Sequence, residues 1–485
     1  MSDDPWVFCG AARLPIPRAD AFEPPARLPR AADLDHAVER ALADPIEAPR
    51  LRRLARGAAT VAVTIPDASR PCPSPALLEH LVEELADAGV PDDGITVVVG
   101  CGLHRTTSAA EREGLAGAPL AGRVRTEDAQ GLQTPCVDLG LTSGGAPVHI
   151  ARRVAQADLA VTVGVVEPHL YAGFSGGVKG AAIGCAGHET IAWTHRPAFV
   201  SAPGVIVGRL TGNPFHATLL EIAARTPLAW AVNVVMNERG DAAAVAAGDP
   251  SAAQASLARR HSGAWLRAVD GPFDVVVAGV HAPKSHSFYQ ASRAATYIGL
   301  AARPALADGG LLVLCADLPG GAGDGPGERN FADVLAAAVS PAELVARGLR
   351  EPLGPGGQRA FVMARVLERF GLAVVGAEDP GFLEPLGVAA FDSVDAAVHA
   401  AEARLGRRAC VLAVADAMAT VVSGSCRRPP EPYLSRQPDR HHRAVVGQHA
   451  AGVVLDGLEN GVGQLLGGHA EVLQHGLVQA RFAEQ

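Results

Sequence analysis

Polar residues follow short apolar runs at three places in the first half of the chain. In chain order these residues are Asp67, Ser69 and Arg70, then His104, then Glu167 and His169. In an open parallel sheet the ligand crevice lies at the carboxyl ends of the strands. The positions of these residues therefore indicate a ligand-binding site. The planar guanidinium of Arg70 matches a carboxylate or a phosphate. Taken singly, the Asp67–Arg70 group is equally compatible with a turn that carries a surface arginine. His104 taken singly is better explained as a helix-entry histidine bonded to backbone.

Lys179 lies in a glycine-rich segment, EPHLYAGFSGGVKGAAIGCAG, at residues 167–187. Glycines let backbone N–H groups approach an anion closely, and the start of a following helix favours negative charge. The segment has neither the GK[ST] of a Walker A motif nor a GxGxxG fingerprint. The segment therefore predicts a phosphate-binding loop that is neither a Walker A loop nor a dinucleotide-binding loop. Lys179 would be a nucleophile or a covalent cofactor anchor. His195 is a candidate metal ligand, although a single histidine usually is not one.

A further polar cluster occupies residues 279–297 in the second half of the chain. Gln290 and Arg293 are three positions apart, so on a helix they share one face. From that face they could reach across a cleft between two domains. The alternative is a solvated helix face without function.

The elements that would position these residues alternate between apolar runs and amphipathic segments. The runs, rich in Val, Ile and Leu, are residues 60–66, 95–102, 157–168, 228–237, 273–280, 309–321, 372–381 and 408–417. Such runs are typical of strands buried on both faces of a parallel sheet. Residues 74–89 and 393–406 have helical periodicity, and Ser393 is a suitable N-cap. The pattern predicts the α/β class, with mainly parallel sheets in two domains and an active-site cleft between them.

The predicted domain boundary is the Gly-Pro step near residues 268–272. Residues 1–268 would form a cofactor-binding N-terminal α/β domain, and residues 269–422 a C-terminal α/β domain that closes the cleft. Residues 423–485 would be a C-terminal extension that packs back on the N-terminal domain. It begins with a polar, proline-bearing stretch typical of a linker.

Composition excludes several classes of protein. The chain has 485 residues and a formal net charge of −9, without a block of lysine and arginine, so nothing indicates nucleic acid or a membrane surface as partner. The eight cysteines are single, which argues against a structural zinc site and a disulfide framework. No signal peptide or membrane span is recognised. We expect a cytoplasmic protein whose oligomeric state the sequence leaves open.

Taken in this order, the clusters resemble the nickel-pincer-dependent lactate racemase family, which comprises 2-hydroxyacid racemases and epimerases. The resemblance covers about residues 10–420. The motifs that carry it are Asp67-x-x-Arg70-Pro71, Gly102-x-His104-Arg105 with Thr107, Glu167-Pro168-His169 through Gly173-Phe174-Ser175-Gly176-Gly177-x-Lys179, His195, Gly212-Asn213-Pro214 and Tyr289-Gln290.

The resemblance implies an isomerase that racemises a small, lactate-type 2-hydroxy acid by reversible proton-coupled hydride transfer. The implied cofactor is a nickel-pincer nucleotide, pyridinium-3-thioamide-5-thiocarboxylic acid mononucleotide with nickel, covalently bound to Lys179. His195 would be the nickel ligand, and His104 and His169 the general acid–base pair. The implied cofactor-binding residues besides Lys179 are Asp67, Ser69, Ser175, Gly176 and Gly177. The implied substrate-binding residues are Arg70, Gln290 and Arg293. Cofactor-synthesis enzymes would be transient partners.

Two departures from the family pattern concern charge. Arg293 stands where the family commonly has lysine, and Val178 replaces the arginine of GGRK. They leave the anchor, the metal ligand and both histidines in place, and they put the substrate in question more than the cofactor. Two alternatives stay open at this point: a zinc- or iron-dependent hydrolase that uses His104, His169 and His195 as ligands, and a non-catalytic binding homologue.

Overall fold

The computed structural model describes residues 4–31 and 33–425. Within these ranges the strands are β1 (Trp6–Gly10), β2 (Ala12–Pro15), β3 (Ala21–Glu23), β4 (Val61–Pro66), β5 (Ile95–Gly102), β6 (Arg125–Gln130), β7 (Cys136–Leu141), β8 (Pro147–Ala151), β9 (Leu159–Val165), β10 (Pro168–His169), β11 (Gly173–Phe174), β12 (Leu228–Met236), β13 (Ala242–Gly248), β14 (Leu266–Val269), β15 (Phe273–His281), β16 (Leu306–Cys315), β17 (Gly371–Val375), β18 (Ala389–Phe391), β19 (Val411–Val414) and β20 (Val421–Gly424).

The α-helices of the same ranges alternate with these strands. They are α1 (Leu34–Ala43), α2 (Leu51–Leu54), α3 (Ser74–Asp87), α4 (Ala109–Ala116), α5 (Arg152–Ala155), α6 (His188–Thr194), α7 (Pro197–Val200), α8 (Pro214–Ala223), α9 (Pro250–Trp265), α10 (Phe288–Gly299), α11 (Pro326–Ala336), α12 (Pro341–Arg350), α13 (Gly357–Leu367) and α14 (Val394–Leu405). Gly180–Gly184 forms a π-helical turn.

The first sheet has six strands in the order β13-β12-β9-β4-β5-β6. All its pairs are parallel except β12 with β13. Val61, Val63 and Ile65 pack into one apolar layer, and Ala62 packs into the layer on the opposite face. The sheet is therefore covered on both sides, which explains the apolar runs without polar alternation.

The second sheet has eight strands, with β18-β17-β16-β15-β1-β2 in order and β19 between β15 and β3. Its pairs are parallel except β1 with β2. Its two faces are also buried, because Val275 and Val277 pack on one side while Val276 and Ala278 pack on the other. Strands β1 and β3, which belong to the segment 1–268, thus pair with strands that follow residue 268.

The α/β class with mainly parallel sheets, predicted from the sequence, is confirmed. Each of the eight apolar runs overlaps a strand, and α3 and α14 lie within the two predicted helical segments, with Ser393 as the N-cap of α14. The division into domains at 1–268 and 269–422 stays a prediction. Most of the predicted extension, 423–485, lies outside the described residues. In the described ranges, no helix is both long enough and apolar enough to cross a membrane.

Candidate active site

Asp67 and His104 form a hydrogen-bonded pair beyond the ends of β4 and β5. The distance from His104 Nδ1 to Asp67 Oδ2 is 2.6 Å, and the Ser69 hydroxyl donates to Asp67 Oδ1 at 2.5 Å. Burial alone would raise the pKa of the Asp67 carboxyl, but the hydrogen bond and charge of His104, with Ser69 and Arg70, lower it to about 2. An ionised Asp67 keeps the His104 proton on Nδ1, so Nε2 of this 54%-exposed ring can accept a proton.

The glycines of the segment 167–187 are required by its backbone path. Gly173, Gly176 and Gly177 have φ angles of +79°, +77° and +55°, in the left-handed region that side chains disfavour. A Cβ at Gly173 would collide with the carbonyl of Arg209, and one at Gly177 would approach Gln254 Oε1 to 2.6 Å. Glycine is therefore needed here for both conformation and close packing.

Two amides of neighbouring elements hold this bend in place. Gly177 N–H donates to Asn233 Oδ1 on β12 at 2.8 Å, and Gln254 Nε2 on α9 donates to the Ser175 carbonyl at 2.8 Å. Asn233 and Gln254 are buried and were not identified from the sequence. A polar residue inside the apolar run 228–237 was the available signal for Asn233.

Ser175 and Ser69, predicted to bind the cofactor, have hydroxyls already engaged within the protein. The Ser175 hydroxyl donates to the Val165 carbonyl at 2.7 Å and accepts from the Glu167 N–H at 3.1 Å. The Ser69 hydroxyl donates to Asp67, as described above. These contacts shape the turns around the site, and binding of a cofactor phosphate by either hydroxyl remains a prediction.

Lys179 follows the bend and directly precedes the π-helical turn. Burial, reinforced by the charge of Arg70, lowers the pKa of its amine to about 8, although the carboxylates of Glu167 and Asp67 act in the opposite direction. A lysine attacks as the neutral amine, so a lowered pKa raises its reactivity near neutral pH. The environment of Lys179 therefore suits a nucleophile or a covalent anchor.

The backbone of the bend fixes His169. Its Nδ1 accepts the N–H groups of Tyr171 and Ala172, at 3.3 Å and 3.1 Å. The neutral ring therefore carries its proton on Nε2. Burial, with the charges of Lys179 and Arg70, lowers the His169 pKa well below its usual value.

His195 has the opposite tautomer. It caps the end of α6, and its Nδ1 donates to the Ile191 carbonyl at 3.0 Å, which leaves the lone pair on Nε2. Burial lowers the pKa of His195 to about 4, against the effect of that hydrogen bond. The Tyr171 ring contacts both histidines, with centroids 6.0 Å from His169 and 5.7 Å from His195. A neutral imidazole with a fixed Nδ1–H is the form in which histidine binds metals.

Contacts from the second sheet and its helices complete the surroundings. Glu167 forms ion pairs with Arg70, whose Nη1 is 3.9 Å from Oε1, and with Lys284, whose Nζ is 4.0 Å from Oε2. The Tyr297 hydroxyl donates to the Pro168 carbonyl at 3.3 Å. Burial would raise the pKa of Glu167, but Lys284, Arg70 and other nearby cations lower it. Lys284 and Tyr297 were not identified as site residues from the sequence.

Gln290 and Arg293 lie on α10, the helix predicted for them. Burial, with the charges of Arg359 and Arg70, lowers the pKa of Arg293 to about 10. Arg293 also acts electrostatically on Glu167 and His169, so it belongs to the cluster around Lys179. For the Gln290 side chain, in contrast, the described part of the chain contains no hydrogen bond to any of these residues.

The cluster is not a three-ligand metal site. Over residues 4–31 and 33–425, no group of three or more His, Cys, Asp and Glu side chains is placed to hold a metal ion. His104, His169 and His195 therefore lack the convergence that the zinc or iron hydrolase requires. The described part of this α/β protein instead groups Lys179, His169 and His195 with the cations Arg70 and Arg293.

Comparisons with known proteins agree with this class. Residues 11–205 match the model of the lactate racemase N-terminal domain. The lactate racemase of Lactiplantibacillus plantarum is 28% identical over 79% of this chain and 90% of its own length. That of Thermoanaerobacterium thermosaccharolyticum is 28% identical over 68% of this chain and 76% of its own length. The chain is therefore similar to lactate racemases over most of its length, and these likenesses support an isomerase.

Solved structures share the fold. The lactate racemase apoprotein from Thermoanaerobacterium thermosaccharolyticum superposes with a TM-score of 0.77 and 23% identity, over 86% of this chain and 99% of that one. A protein from Thermotoga maritima superposes with a TM-score of 0.59 and 14% identity, over 77% of this chain and 96% of that one. At these identities the likeness concerns the fold alone.

Proposed function

We propose that this racemase inverts a small 2-hydroxy acid with the help of a nickel-pincer nucleotide covalently bound to Lys179. The observation that carries the proposal is the environment of Lys179: a buried amine with a pKa lowered to about 8, surrounded by Arg70, His169 and His195. Similarity to lactate racemases supports the same reaction class.

The residues present fit the proposed cofactor. Lys179 would hold it through Nζ, and His195 would offer the Nε2 lone pair to nickel, because its Nδ1 is committed to the Ile191 carbonyl. An imidazole together with soft sulfur ligands suits square-planar nickel. When bound, the group would supply a reversible acceptor for the hydride on C2 of the substrate. Cofactor-synthesis enzymes would be needed to make it.

The chain's own residues would bind the substrate and move its hydroxyl proton. The guanidinium of Arg70 would bind the substrate carboxylate. In the structure its counter-ion is Glu167, at 3.9 Å. His104 would take the hydroxyl proton at Nε2 while Asp67 holds Nδ1. His169 would present Nε2–H from the bend. Two histidines are required, because inversion needs proton transfer on both faces of the substrate.

The experiment is intact-mass spectrometry on protein co-produced with active cofactor-synthesis enzymes, with nickel measured on the same sample. The chain contains two lysines, Lys179 and Lys284, which gives a matched control. We expect a covalent adduct and nickel in the wild type and in Lys284→Ala, and neither in Lys179→Ala. An unmodified, nickel-free wild type would refute the cofactor assignment.

The alternative of a non-catalytic binding homologue predicts a different result. It allows an adduct or a bound 2-hydroxy acid, but no inversion of single enantiomers by the loaded protein. Chiral chromatography of each enantiomer after incubation separates the two hypotheses. All five core residues are present (Arg70, His104, His169, Lys179 and His195), which favours the enzyme.

A further inference from the structure

Two arginines beside the candidate site lack acidic partners. Arg293 lies on α10, and Arg359 lies in the first turn of α13. Arg359 is only 7% exposed, and its Nε and Nη2 atoms have no hydrogen-bond partner. Neither arginine forms an ion pair within residues 4–31 and 33–425, whereas Arg70 has Glu167 at 3.9 Å.

A buried guanidinium without partners is unfavourable. Proteins pair their buried charges or keep them where a ligand completes the pairing, because desolvation of an isolated charge costs stability. Arg359 also lies close enough to Arg293 for its charge to oppose that of Arg293, second only to burial. Two guanidinium groups that repel each other and have no acidic partner indicate a bound anion rather than a structural role.

The neighbours of Arg359 connect it to the proposed reaction centre. Its Cζ lies 5.9 Å from the centroid of the Tyr289 ring, and its charge is the strongest to act on buried Tyr171. Tyr171 in turn contacts the rings of His169 and His195. Arg359 thus acts electrostatically on the side chain that contacts both histidines, without itself contacting either ring, which suits a distal substrate group better than C2.

We propose that the substrate is a 2-hydroxy dicarboxylic acid, with its C1 carboxylate on Arg70 and its second carboxylate on Arg359 and Arg293. This assignment rests on the proposed function and specifies its substrate. A substrate with an apolar side chain, such as lactate, would leave Arg359 buried without a counter-ion. A phosphate at the distal position would meet the same arginines, so the test includes it.

The first measurement is racemisation of single enantiomers by the cofactor-loaded enzyme, followed by chiral chromatography. The probes are lactate and 2-hydroxybutanoate, with one carboxylate, malate and 2-hydroxyglutarate, with two, and 3-phosphoglycerate, with a distal phosphate. We expect kcat/KM for a dicarboxylate to exceed that for lactate by roughly 10- to 100-fold. A preference for lactate or for the phosphorylated acid would overturn the assignment and leave the racemase proposal standing.

Variants localise the effect. In Arg359→Gln the ratio of kcat/KM for the preferred dicarboxylate to that for lactate should fall about 10- to 100-fold, with most of the change in KM. In Arg359→Lys this ratio should lie between those of the wild type and Arg359→Gln, because lysine keeps the charge but lacks the planar guanidinium. The matched control is Arg350→Gln, an exposed arginine on α12, which should leave the ratio unchanged. An equal loss for both substrates in Arg359→Gln would indicate a structural role and overturn the proposal.

A binding measurement separates this inference from the reaction itself. The melting temperature of the cofactor-free wild type should be higher with malate than with lactate at equal ionic strength. Arg359→Gln should lose this difference. The variant itself should melt no lower than wild type, since an unpaired buried charge has been removed. If the loaded enzyme inverts no 2-hydroxy acid, the racemase proposal fails, while this measurement still decides whether a dicarboxylate binds. Equal stabilisation by malate and lactate would refute the dicarboxylate subsite.

Discussion

His104 and His169 have the same side chain, but two regions of the molecule hold them in opposite ways. At the ends of β4 and β5, His104 is half exposed, and its Nδ1 faces an ionised carboxylate. In the bend after β9, His169 has its Nδ1 facing two backbone N–H groups, and nearby cations disfavour its charged form. One ring is therefore oriented to accept a proton at Nε2, and the other to donate a hydrogen bond from Nε2.

This difference has a consequence for a reaction that runs in both directions. For His169 to accept a proton at Nε2, its neutral form must carry hydrogen on Nδ1, and the contacts with Tyr171 and Ala172 would then be lost. The resting arrangement thus suits proton removal by His104. The reverse direction requires either a turned His169 ring or an imidazolium, which a bound anionic substrate would stabilise by offsetting the cations around it.

Asp67→Asn should produce the largest effect, because the amide no longer holds the His104 proton on Nδ1. We expect kcat to fall roughly 10²- to 10⁴-fold with little change in KM. Steady-state kinetics on single enantiomers measures it. Ser69→Ala removes the other hydrogen bond to the same carboxylate and should lower kcat by less than about 10-fold. Equal losses in the two variants would show that Asp67 acts only as a part of the turn.

Acid unfolding should separate, by pH, the Asp67–His104 region from His195, whose ring contacts Tyr171 of the bend. His195 has its pKa lowered to about 4, so the stability it contributes is present above its usual pKa near 6.5 and is lost as pH falls toward 4. Asp67 has its pKa lowered to about 2, so its contribution is present above about 3.8 and is lost between there and 2. Each residue contributes on the order of 2–3 kcal/mol to the free energy of unfolding.

Unfolding midpoints in denaturant across pH 2–7 measure this separation. His195→Gln should flatten the curve between pH 6.5 and 4, and Asp67→Asn should flatten it below pH 4. His36→Gln, at an exposed position, is the control and should change neither part. Parallel curves for wild type and His195→Gln would contradict the buried neutral imidazole.

Glu167→Gln should give the smallest effect. It removes a carboxylate that raises the pKa of Lys179, so the amine should become more acidic than its present pKa of about 8, by up to about one unit. In a Lys284→Arg background Lys179 is the single lysine. The rate of amine modification at Lys179 against pH, read by peptide mass spectrometry, reports the change. An unchanged or raised pKa would mean that Glu167 does not act on Lys179.

The elements were predictable from the sequence where burial and periodicity act locally. The apolar runs became strands because both faces of each sheet are covered, and α4 starts at a capping box formed by Ser108 and Glu111, three residues apart. The hydrogen-bond partners and burial of polar side chains were not predictable, because they depend on residues distant in the chain. Asn233 and Gln254 hold the bend from β12 and α9, and the burial of Arg359 follows from the packing of α13, which its own sequence does not reveal.

The pairing of β1 and β3 with β15 and β19 has a practical consequence for dividing this chain. A fragment that ends at residue 268 would carry the short strands β1 and β3 away from their hydrogen-bonding neighbours. The remaining fragment would expose the backbone edges of Val280–His281 and Leu412–Val414. Unprotected strand edges recruit other chains, so both pieces would tend to aggregate. The two halves are interlaced by the N-terminus, and studies of either are better done within the intact polypeptide.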